Sequence, residues 1–125
     1  MYKYSTDFNL FCRVNDQEAA QEYLDNSSDE MLTILKENIL YVGSVTESIK
    51  WILDDSESGH IEVITTQELS EDDLSYLSRW VNEQHSDGIG EGFEQQDFAV
   101  GLDDEGDEAI ASFDWDTNDY PFERI

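Results

Sequence analysis

The chain has 125 residues, with 31 Asp and Glu against 6 Lys and Arg, and a formal net charge of −25. This length predicts one domain with a single modest core, and 38% hydrophobic with 12% aromatic residues is too much apolar material for a disordered acidic tail. The charge excludes direct binding to nucleic acid and to anionic membrane surfaces, since phosphate would meet repulsion almost everywhere.

No apolar run approaches the ~20 residues that a bilayer span needs. Met1-Tyr2-Lys3-Tyr4-Ser5 lacks the charged-then-apolar plan of a secretory leader. Cys12 stands alone, which leaves no intrachain disulfide or cysteine metal cage and reads as a small buried hydrophobe. A soluble protein of a reducing cytoplasm is expected.

In chain order, Phe8, Leu10, Cys12 and Val14 alternate with more polar positions and predict a strand over Asp7–Val14. Asn15 with Glu18 has capping-box spacing, opening a short helix that Asn26-Ser27-Ser28 should break. Ser27 with Glu30 opens a second helix, with Met31, Leu32, Leu35 and Ile39 inward. Tyr41-Val42-Gly43 reads as extended or turning chain, and Val45–Leu53 with His60–Thr66 as a β-hairpin around a turn at Asp54–Gly59. Ser70 caps the clearest helix: Glu71, Asp72 and Asp73 suit its positive end, and Leu74, Leu77, Trp80 and Val81 share one face. Gln96–Leu102 and Glu108–Trp115 read as two last strands, and Tyr120 and Phe122 predict a docked tail. The sum is one α+β domain over residues 1–125: an antiparallel sheet of four to five strands with two or three helices on one face.

Chemical motifs are weak. Gly88, Gly90 and Gly92 have nucleotide-loop spacing, but they follow a helix where such loops follow a strand, and Asp87, Glu91 and Glu94 would face the phosphates. Asp103, Glu105 and Asp107 have the one-three-five spacing of a calcium loop, with Asp114 at the twelfth position. The sixth-position glycine is missing, because Glu108 stands there. No nucleophile is sequence-paired with His60 or His85, and among 31 carboxylates a glycosidase-like pair arises by chance. No catalysis, metal or cofactor is expected. Trp51, Trp80 and Trp115 are expected in the core.

Charge distribution is more informative. Between Arg79 and Arg124 there is no Lys or Arg, and fourteen acids stand there. Solubility asks only for a net charge of roughly 2–8 in a small domain, and self-repulsion beyond that costs stability. Halophilic adaptation is one cause of such a surplus. Mimicry of a polyanion is the other: duplex DNA carries a charge per ~1.7 Å of axis, so this surplus matches about 40 Å of duplex, near the ~35–40 Å diameter of such a domain.

The segment Leu69–Leu74 running on to Ser86-Asp87-Gly88-Ile89-Gly90-Glu91-Gly92-Phe93-Glu94-Gln95 resembles small acidic proteins of phages and conjugative elements of Gram-positive bacteria. There an acidic helix leads into a similar stretch, with an aromatic where Ile89 stands. The resemblance covers about 30 residues well, extends loosely to Ala109–Trp115, and implies a bacterial host cytoplasm and a setting rich in anti-restriction and anti-CRISPR inhibitors. With the charge, it predicts a DNA mimic that occupies the basic nucleic-acid-binding cleft of a defence nuclease. The RNA-guided type II CRISPR nuclease is the first target and a restriction enzyme the second. The expected contacts are Glu91, Glu94, Asp97, Asp103, Asp104, Glu105, Asp107, Glu108, Asp114, Asp116 and Asp119, on a monomer or homodimer. An acidic adaptor that binds another basic protein is the alternative.

Overall fold

A computed structural model of the chain describes residues 1–10, 13–84, 100–102, 108–110, 113–114 and 122–125. Strand β1 spans Tyr2–Leu10, helix α1 Gln17–Asn38, helix α2 Leu40–Val45, strands β2 and β3 Thr46–Leu53 and Ser58–Thr65, and helix α3 Glu71–Gln84. Four short strands follow: β4 (Val100–Leu102), β5 (Glu108–Ile110), β6 (Phe113–Asp114) and β7 (Glu123–Arg124). The main sheet is antiparallel in the order β2-β3-β1-β6, with β7 pairing a different stretch of β1. Strands β4 and β5 form a separate antiparallel pair, Val100 opposite Ile110. This is the expected α+β architecture.

Strand alternation places the core on one face of the sheet. Tyr4, Thr6 and Phe8 of β1 lie opposite Val63, Ile61 and Gly59 of β3, which lie opposite Ile49, Trp51 and Leu53 of β2; all nine are buried. Ala20, Leu24, Met31 and Leu35 of α1 and Leu77, Trp80 and Val81 of α3 join them in one cluster, so both long helices cover the same face. Trp51 and Trp80 are core residues as expected; Trp115 lies outside the described residues. No helix among the described residues is long and apolar enough to cross a membrane.

Several boundaries differ from expectation. The first strand begins at Tyr2 and not at Asp7, because Tyr2, Tyr4, Thr6 and Phe8 continue the alternation through polar neighbours. Val14 is buried outside any strand, its N–H donating to Ser56 O at 2.9 Å. The cap of α1 is Asp16, one position after Asn15, and its carboxylate accepts the Ala19 N–H at 3.1 Å. The helix does not break at Asn26-Ser27-Ser28. Ser28 falls on the buried stripe Ala20-Leu24-Ser28-Met31-Leu35, and its hydroxyl donates to Leu24 O at 2.7 Å, so the break signal is absorbed within the helix.

Residues Tyr41-Val42-Gly43 are helical. An added Cβ on Gly43 would lie 2.6 Å from Lys36 Cα and 2.8 Å from Leu35 O, so α2 turns back against α1 at a point where only glycine fits. Helix α3 opens as predicted: Ser70 Oγ accepts the Asp73 N–H, and the Asp73 carboxylate accepts the Ser70 N–H, each at 3.2 Å. The tail docks where it is described. Phe122 is 3% exposed, and β7 pairs with Tyr4 and Ser5. Tyr120, the glycine run, the calcium-like loop, Cys12 and His85 lie outside the described residues.

Candidate functional site

Of the eleven acidic residues expected to meet a partner, Glu108 stands at the start of β5 and Asp114 at the end of β6. The other nine, Glu91, Glu94, Asp97, Asp103, Asp104, Glu105, Asp107, Asp116 and Asp119, lie outside the described residues. The acidic feature that the described residues build is on α1. Glu18, Glu22, Asp25 and Asp29 follow one another at steps of four, three and four, which superimposes them on one flank of the helix, and all four are exposed. At 1.5 Å per residue they form a row about 16 Å long, one carboxylate every ~4–6 Å. The axial step of phosphates on one DNA strand is ~3.4 Å, of the same order.

Several other described carboxylates have internal work. Asp54 pairs with His60, Glu57 with Arg13 at 2.7 Å, Glu62 with Lys3 at 3.0 Å, and Glu68 with Arg124 at 3.0 Å. Asp55 accepts the N–H groups of Glu57 and Ser58 at 2.7 and 2.8 Å to close the hairpin, and those bonds hold its carboxyl below the usual range. Asp73 closes the α3 cap. Of the six Lys and Arg, Lys3, Arg13 and Arg124 are in these ion pairs, Lys36 donates to the carbonyls of Gly43 and Thr46, Arg79 lies over the Tyr76 ring, and Lys50 lines a cleft with Asp25 and Asp29. Among the described residues no ion pair engages Glu18, Glu22, Asp25 or Asp29; Asp25 takes only the Gln21 amide, at 3.0 Å.

The row borders the outer edge of β2. Helix α1 serves that edge with side chains in place of a neighbouring strand. Gln21 accepts the Leu53 N–H at 2.7 Å and donates to Trp51 O at 3.0 Å, Ser28 Oγ accepts the Trp51 N–H at 3.2 Å, and Lys36 Nζ donates to Thr46 O at 3.1 Å. Between these contacts a cleft of about 330 Å³ opens, lined by Asp25, Ser28, Asp29, Leu32, Glu47, Ser48, Ile49 and Lys50.

On the opposite face of the sheet, His60 Nδ1 lies 2.9 Å from both Asp54 oxygens and Nε2 lies 3.4 Å from Glu62 Oε1, which also meets Lys3. Burial opposes the charged ring, but the bond to Asp54 and the charges of Asp54 and Glu62 outweigh it and raise the His60 pKa. The Lys3 bond holds Glu62 low against the opposing effect of its partial burial. This is a surface ion-pair chain across the hairpin and β1. Among the described residues no group of three His, Cys, Asp or Glu side chains is placed to hold a metal ion.

Comparison with known proteins gives no match: none to a protein-family model, none to a curated protein and none to a solved structure.

Proposed function

We propose that the protein is a DNA-mimic inhibitor of a host defence nuclease, with the RNA-guided type II CRISPR nuclease as first target and a restriction enzyme as second. The observation that carries this reading is the α1 row: four exposed carboxylates in register on a helix fixed to a buried core, with no ion pair to any of them among the described residues. A cleft that binds duplex DNA must hold Lys and Arg at phosphate spacing. A stiff anionic row enters such a cleft and releases the same counterions, and the long-range field of a −25 protein speeds the encounter. The acidic carboxyl-terminal third, from Glu91 to Asp119, adds to the net negative charge. The acts assigned to the protein are binding and exclusion, without catalysis or cofactor.

The test is cleavage of a target duplex by the guide-loaded nuclease, and separately by a restriction enzyme, with increasing amounts of the protein. Cleavage should stop near stoichiometric inhibitor. It should return when Glu18→Gln, Glu22→Gln, Asp25→Asn and Asp29→Asn are combined. Full inhibition by that fourfold variant would remove the row from the account, and absence of inhibition by the parent in both assays would refute it.

A further inference from the structure

The carboxylates of the α1 row are not held alike. Asp25 Oδ1 accepts a hydrogen bond from the Gln21 amide at 3.0 Å, and that amide is locked to the edge of β2. Its nitrogen donates to Trp51 O at 3.0 Å, and its oxygen accepts the Leu53 N–H at 2.7 Å. Both N–H groups of the amide are thereby used, and only one orientation satisfies it. Turned over, its oxygen would face the Trp51 carbonyl and the Asp25 carboxylate while its nitrogen faced the Leu53 N–H, and each attraction would become a repulsion. An exposed Gln–Asp pair four residues apart on a helix is ordinarily a weak contact between two mobile side chains. Here the donor end is fixed to the main chain of the sheet, beside the buried Trp51. Among the described residues no hydrogen bond holds the carboxylates of Glu18, Glu22 or Asp29.

We infer that Gln21 is a positioning residue of the proposed interface, and that Asp25 is the anchor carboxylate of the row, presented in one orientation to a Lys or Arg side chain of the partner. The inference rests on the reading of the partner as a basic cleft. Association costs free energy for every long side chain that must be immobilised. Glu18 and Glu22 incur that cost on meeting a base, whereas Asp25 is already held by Gln21 before the partner arrives. Its other oxygen, Oδ2, has no hydrogen bond among the described residues and stays an acceptor for an ammonium or guanidinium. The surroundings have the matching sign: Asp29 and Glu47 line the 330 Å³ cleft with Asp25, against one base, Lys50. Gln21 carries no charge, so a count of charges along α1 assigns it no part. Its contribution is to convert one mobile charge into a directed one.

Gln21→Glu separates position from charge. The new carboxylate still accepts the Leu53 N–H, but it has no donor for Trp51 O or Asp25 and repels both. It also adds a negative charge to the helix. If charge alone governs the surface, this variant should inhibit the nuclease at least as well as the parent. The inference predicts inhibition weaker by about two- to tenfold, under conditions where urea unfolding shows both proteins folded. Ser78→Ala, which leaves α1 untouched, should inhibit as the parent does, and Asp25→Asn should weaken inhibition more than Glu22→Gln. A second readout needs no nuclease. NMR couplings between Hα and Hβ should report one χ1 rotamer for Asp25 in the parent and averaged rotamers in Gln21→Glu, with Glu22 averaged in both. Averaged Asp25 couplings in the parent would overturn the inference whatever the nuclease does. Undiminished inhibition by folded Gln21→Glu, or equal losses for Asp25→Asn and Glu22→Gln, would overturn it too. Absence of inhibition by the parent refutes instead the reading on which the inference rests, and the couplings still decide the role of Gln21.

Discussion

The buried hydroxyl of Ser28, 3% exposed in the middle of α1, accepts the main-chain N–H of Trp51 at 3.2 Å while donating to Leu24 O at 2.7 Å. This one side chain ties the acidic helix to the edge of the sheet. Ser28→Ala leaves the Trp51 N–H without its acceptor in a buried place and should destabilise the protein by about 1–3 kcal/mol. Ser78→Ala, at a serine whose hydroxyl returns to Leu74 O within α3, should cost less, about 1 kcal/mol or below. Urea unfolding followed by tryptophan fluorescence measures both. Equal costs would show that the edge contact adds nothing.

Gly59 sits opposite Phe8 on the buried face, where an added Cβ would meet Ile52 O and lie 2.6 Å from Phe8 Cζ. The Phe8 ring covers the glycine and fills the space a side chain would take. Gly59→Ala should therefore cost roughly 2 kcal/mol or more through a displaced ring and strand. Gly43→Ala should be comparably harmful, because the neighbours there are the Lys36 and Leu35 main chain, which cannot turn aside. Thermal unfolding of the two variants checks this, and a melting temperature unchanged in either would contradict the packing described.

The His60 chain gives stability a definite pH dependence. The folded-state pKa of His60 is raised by Asp54 and Glu62, so its contribution is fully present below the unfolded value of about 6.5 and is lost as pH rises through the folded value. The groups that face it are Asp54 and Glu62, with Asp7 opposite on β1 and Lys3 beyond Glu62. The melting temperature of the parent should decline from pH 6 to pH 8 relative to that of His60→Gln, with the NMR titration of the ring displaced upward. A parallel pH course for the two proteins would rule out the linkage.

Much of the architecture could be read from residue order. The hairpin, the Ser70 cap and the Leu74-Leu77-Trp80-Val81 face of α3 were legible because local chemistry and burial agree there. The acidic row was hidden for a physical reason. Asn26-Ser27-Ser28 carries the composition of a helix break, and dividing the helix there removes the register that aligns Glu18, Glu22 and Asp25 with Asp29. Only the long-range bond from Ser28 to Trp51 turns that serine into a core residue. The signal that could have revealed it is the unbroken apolar stripe Ala20-Leu24 to Met31-Leu35, which keeps its phase across the serines.

The central claim is that the protein occupies a site shaped for duplex DNA. Its most direct measurement is the apparent dissociation constant of the protein from the guide-loaded nuclease, taken at rising salt and with increasing target duplex. The account predicts mutually exclusive binding, with the logarithm of affinity falling linearly with the logarithm of salt concentration and with a shallower slope for the fourfold α1 variant. A stable ternary complex with duplex in the cleft, or affinity indifferent to salt, would contradict it.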